Sequence, residues 1–158
     1  MQPIEICTQA MAAPHEAFAL KYGCARTLFE LDPDQFAGTA EQTLAAVKQA
    51  STVPSHLFLV NLWLGQIRER QKTWTTAAEL YVEAIKTQPD AKSAYVALSE
   101  VLKANGEPVQ SAGVMDRFQA RGVTSAIADP SATYALGLDT FLEARFEAIF
   151  KEVKAMKG

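Results

Sequence analysis

Few residues in this chain are of the types that carry chemistry, and their spacing decides what each can do. Cys7 and Cys24 are its only cysteines. They form no CxxC and no metal-ligand pattern, so they read as small, partly buried thiols. His15 and His56 each stand by a proline near a helix start without a second ligand at helical spacing, and read as surface or capping residues. Asp32 and Asp34 flank Pro33 like an acid pair, but after a helix this pattern is a turn and the cap of the next element. Glu143 and Glu147 share a helical face that Lys151 continues, which makes a solvated charged stripe. No GxSxG, GxGxxG, HExxH or Gly-rich loop closing on Lys and Ser or Thr occurs. The expectation is no catalytic residue, no metal and no cofactor.

Recognition is what remains. The basic run Arg68-Glu69-Arg70-Gln71-Lys72 suits the negative end of a helix, and solvation there is its simplest use. Trp63 and Trp74 carry a residue type enriched at binding hot spots. Trp74 falls in a turn, where folding back over the preceding helix is the plain reading. Trp63 lies beside Leu59 and Leu62, off the stripe made by Leu57, Val60 and Leu64, so its helix is apolar around most of its circumference. Such a helix is either buried on both sides or lines a groove.

The elements that must position these residues are helices. The chain has 158 residues, of which 49% are hydrophobic and 21% charged. That is the composition of one globular domain long enough to bury its own core. Counting favours helix, since 27 alanines and 14 leucines stand against 10 valines and 6 isoleucines. A formal net charge of -3 gives no excess of cations to attract nucleic acid. The densest apolar run, Leu57 to Leu64, is far shorter than the ~20 residues that span a bilayer. The first residues carry Glu5 and no continuous apolar stretch, which reads as no secretory signal and places the chain in the cytoplasm.

Turn residues at Asp32-Pro33-Asp34, Val53-Pro54-Ser55, Gln88-Pro89-Asp90, Asn105-Gly106-Glu107-Pro108 and Asp129-Pro130-Ser131 divide segments whose apolar residues recur at three and four. Phe18, Tyr22, Ala25 and Phe29, opened by Pro14, form one helix, and Leu44, Val47 and Ala50 form another after Thr39. Three antiparallel hairpins are expected, over about 14–51, 56–88 and 91–121, with a terminal helix over about 139–157. Sliding the chain by 34 residues aligns Ile67 with Val101, Leu64 with Leu98, Leu80 with Val114 and Ala78 with Ala112.

Within the first of these units, Leu64-Gly65, Ala77, Tyr81, Ala84 and Pro89 give a spacing that resembles the tetratricopeptide repeat. Small residues let two helix backbones approach, Tyr81 fills the gap between hairpins, and Pro89 ends the second helix. Residues 58–91 match well, except that Asn61 and Arg68 stand where the family usually has aromatics. The next unit is degenerate, with Ser99, Ser111, Met115 and Phe118 at the corresponding places. The resemblance implies a short right-handed all-α solenoid, which the terminal helix would cap.

Such repeats bind peptides on the surface formed by the first helices of successive hairpins. By that resemblance Leu59, Leu62, Trp63, Gln66 and Glu69, with Val96, Ala97 and Glu100, face the partner. Repeats that grip a C-terminal carboxylate use lysine, arginine and asparagine here, whereas this chain has Leu62, Gln66, Ser93 and Val96, so an apolar segment of another protein is the expected ligand. In size and charge the chain also resembles the small acidic three-repeat chaperones of bacterial secretion systems. A chaperone or adaptor role is the resulting expectation. The alternatives are an oligomerisation domain joined through Phe141, Phe146 and Phe150, and a small-ligand or enzymatic helical domain using a pocket between hairpins.

Overall fold

The computed structural model describes residues 3–12, 18–123 and 129–130. Among them there are seven α-helices and no strand. Pro14, His15, the terminal helix expected over 139–157 and its Phe141, Phe146 and Phe150 lie outside the described residues. Where the sequence reads as one domain, the described helices fall into two compact units that divide after Val47.

The first unit begins with α1 (Pro3–Ala12), a helix the sequence reading does not assign. Ile6, Cys7, Ala10 and Met11 recur at helical spacing and are buried. The helix α2 (Phe18–Leu31) packs against α1 and buries Leu20, Tyr22, Cys24, Ala25, Leu28 and Phe29. Tyr22, Ala25 and Phe29 thus form a buried stripe as expected, and the Phe18 and Tyr22 rings stack with centroids 5.5 Å apart. The expected free thiols are corrected: Cys7 and Cys24 form a disulfide between α1 and α2, with their Cα atoms 5.1 Å apart. The tight packing of the two helices is what brings residues 17 apart in sequence within bonding reach.

Asp32 ends α2 and starts α3 (Pro33–Ala50), its Oδ1 accepting the Gln35 amide at 3.0 Å with Pro33 at the first helical position. The acid pair is therefore a cap, as its spacing suggests. The helix begins at Pro33 instead of after Thr39, because Phe36, Ala40, Thr43, Leu44 and Val47 make one buried stripe. For the expected 14–51 hairpin, both helices form, but the packing partner of α2 in this unit is α1.

The second unit contains α4 (Pro54–Arg70), α5 (Trp74–Thr87), α6 (Lys92–Ala104) and α7 (Pro108–Ala120), each packed on the next. The helices α4 and α7 start on prolines, whose missing N–H costs nothing in the first turn. Lys72 leaves α4 in the left-handed conformation, φ 59°, and Gly106 leaves α6 likewise, φ 79°. Around each, the same two bonds form: Lys72 N–H to Glu69 O and Thr73 N–H to Arg68 O, then Gly106 N–H to Lys103 O and Glu107 N–H to Leu102 O. The turns lie 34 residues apart, as do the last residues of α4 and α6 and the first of α5 and α7. The period read from side chains is thus also a period of the backbone.

Ala77, Tyr81 and Ala84 of α5 are fully buried. A Cβ built on Gly65 would lie 2.7 Å from Tyr81 Cδ1 and 2.8 Å from Cζ, so the phenol ring fills the place a side chain would take. One period later the contact is polar. Ser99 and Ser111 hydroxyls meet at 2.8 Å, and the Ser111 hydroxyl donates to Ser99 O at 2.7 Å, joining α6 to α7 through two small residues. Phe118 packs against Tyr95 with centroids 5.0 Å apart, and the Tyr95 hydroxyl donates to Pro89 O at 2.7 Å. At the start of α6, the Asp129 carboxylate accepts the Ser93 amide at 2.7 Å and the Ser93 hydroxyl at 2.9 Å. This places a negative charge at a helix N-terminus, where the aligned peptide dipoles favour it.

Candidate functional site

The residues expected to face a partner divide by exposure. Leu59, Leu62 and Trp63 are buried, at 0%, 2% and 7% of their free surface, because α4 is covered on nearly every side from Phe58 to Gly65. Of the two uses for an all-round apolar helix, burial is the one observed at these three residues. Gln66, Glu69, Val96 and Ala97 are half-buried, and Glu100 is exposed. These five leave a smaller accessible surface on α4 and α6 than the sequence reading expects.

Two carboxylates belong to that surface. Burial holds Glu69 above the usual carboxylate range; the Tyr81 hydroxyl works against that shift, and the negative charge of Glu100 adds to it. The Tyr81 phenol is pushed far up, by burial first and then by Glu69, with Glu100 acting in the same direction. Glu69 of α4, Tyr81 of α5 and Glu100 of α6 therefore form one electrostatic cluster. Tyr81 Oη is enclosed and makes no hydrogen bond of good geometry, and the same is true of Oδ1 of Asn61, two turns before Glu69 on α4. The Gly65 and Tyr81 spacing predicts the packing, but only the fold shows where the hydroxyl ends.

A second feature lies on the α5 and α7 side of the same unit. One cleft of about 570 Å³ and another of about 350 Å³ share Val82, Leu98, Val114 and Arg117, and so form a single trough between α5 and α7 with α6 as its floor. Its walls are mainly aliphatic. Glu79, Glu83 and Lys86 line the larger cleft, Arg121 the smaller, and Arg117 both. Glu83 pairs with Lys48 at 2.8 Å and Arg121 with Asp90 at 2.7 Å. Val82 escaped the sequence reading because it falls beside the Ala77, Tyr81 and Ala84 stripe, where an exposed valine carries no periodic signal.

Among the described residues, no three or more His, Cys, Asp or Glu side chains gather as a metal site, and no helix is long and apolar enough to cross a membrane. His56 sits half-buried at the start of α4, and burial lowers its pKa. No protein-family model matches the chain, and neither a curated protein nor a solved structure gives a match.

Proposed function

We propose that this chain is a protein-interaction module built on tetratricopeptide-like hairpins, serving as an adaptor or chaperone for another protein. The observation that carries the reading is the trough between α5 and α7, an aliphatic cleft in which exposed Val82 stands over the buried Leu98 and Val114. The recurrence of the same turn after 34 residues supports the repeat class. Buried apolar anchors from the partner would supply affinity, and the charges that line the trough would set orientation.

The disulfide bears on the compartment in which such a module would work. A buried bond between packed helices persists where thiols are oxidised and is uncommon in a reducing cytosol, so an oxidising compartment fits better than the cytoplasm.

A photo-crosslinking residue placed at Val82 and, separately, at Gln66 tests the module reading in the native source. A discrete protein adduct is expected from at least one of these positions, and none from Val109, which is exposed but does not line the trough. If both positions crosslink no more than Val109 does, the chain is not an interaction module of this kind.

A further inference from the structure

The trough between α5 and α7 collects positive charge in a chain whose formal net charge is -3. Its smaller cleft, of about 350 Å³, is lined by Arg117 and Arg121 and otherwise by aliphatic residues and Tyr95, with no carboxylate. Arg121 directs Nε at 2.8 Å and Nη2 at 2.7 Å to one oxygen of Asp90. The side chains of Lys86 and Arg117 enter no ion pair or hydrogen bond among the described residues. In the larger cleft, Glu83 is held by Lys48 at 2.8 Å, and Glu79 precedes Lys86 on α5 by about two helical turns. Lys86 and Arg117 stand in the last turns of α5 and α7, and the pair of Arg121 and Asp90 ties the end of α7 to the residues that follow α5. Helix dipoles account for cations in last turns, but not for a cleft lined by two arginines without an acid. Such side chains cover apolar surface with their stems and hold their charge at the rim, where low-dielectric walls strengthen the attraction of an anion.

We propose that the trough binds a segment of a partner protein in which an acidic side chain stands among aliphatic ones, its carboxylate meeting Arg117 while its neighbours cover Val82 and Leu98. This rests on the reading of the chain as an interaction module and gives the trough a chemical preference. Charge complementarity selects the occupant. Glu83 with Lys48 and Arg121 with Asp90 are neutral pairs, so Lys86 and Arg117 against Glu79 leave the lining one positive charge in excess. A guanidinium can meet a carboxylate with two parallel N–H donors, and Arg117 has all of its donors free for that use. Exposed Val82 and half-buried Ile85 and Leu102 supply the apolar contact. The α5 wall runs from Thr75 to Lys86, about 16 Å, which about five extended residues or about three helical turns would span.

Three short peptides test this, identical except for a central Glu, Gln or Lys between leucine and alanine residues. Each is titrated into the intact oxidised chain at physiological salt, following the Val82 and Val114 methyl resonances. The Glu peptide is expected to bind about fivefold more tightly than the Gln peptide, with Lys weakest. Arg117→Gln should abolish that preference while leaving the affinity for the Gln peptide unchanged. Lys103→Gln, which removes the same charge at an exposed position outside the trough, should preserve it. Arg117 is itself exposed, so its variant reports on binding without disturbing the fold. Equal binding of the Glu and Gln peptides, binding of neither, or a preference that survives Arg117→Gln overturns the proposal. Shifts of the same methyl groups when the chain alone is concentrated would also overturn it, by seating a second copy in the trough. The crosslinks at Val82 and Gln66 judge the module reading separately: an adduct there without a preference for Glu here leaves a module that does not select an acid.

Discussion

Gly65 shows how one missing methyl group can hold an arrangement together. The Tyr81 ring occupies the space where a Cβ would stand, and the ring is itself fully buried, so it has nowhere to retreat. Gly65→Ala should therefore destabilise the chain by about 1–3 kcal/mol in urea unfolding, and adding Tyr81→Leu should recover part of the loss. Glu69 sets a pH dependence of defined sign. Its pKa is raised above 4.5 in the folded chain, so the stability it contributes is complete below that pH and is lost as the pH rises through the raised value. Glu69→Gln removes this slope. Urea titrations from about pH 4 to about pH 7 should show the variant gaining on the wild type as the pH rises. Of the expected partner surface, the sequence made the residue types legible but not their exposure. Leu59, Leu62 and Trp63 have the same apolar character whether a helix is enclosed or lines a groove, and only tertiary packing separates the two.

Turns separate the legible elements from the hidden ones. From Pro54 to Ala120 the helix boundaries track prolines, Gly106 and the 34-residue period closely, because turn chemistry and side-chain periodicity point the same way. Upstream they do not. The α1 stripe uses a cysteine and an alanine, which hardly register as a hydrophobic face, and the first turn of α3 contributes only Phe36 to its core. Within the repeat, Lys72 is the exception to turn chemistry, since it adopts the left-handed conformation that Gly106 takes at the equivalent place. Lys72→Gly should stabilise the chain by about 1 kcal/mol, read as a higher urea midpoint at unchanged slope, while Lys72→Ala should bring no such gain.

At the scale of the whole chain, the all-helical class was readable from alanine and leucine content, but the division into two units was not, because contact density leaves no trace in composition. The disulfide was hidden for a related reason: a separation of 17 residues says nothing until α1 and α2 are known to pack. Reducing it should lower stability by about 3 kcal/mol, and hydrogen exchange should locate the loss in α1 and α2 while α4 to α7 keep their protection. Asp129 has another kind of consequence. It reaches back 36 residues to grip Ser93 at the start of α6, so the hairpin of α6 and α7 is fastened from outside its own turn. If the chain is pulled from its C-terminal side, the load meets that buckle before it reaches α7, and the two bonds to Ser93 must part before the hairpin can peel.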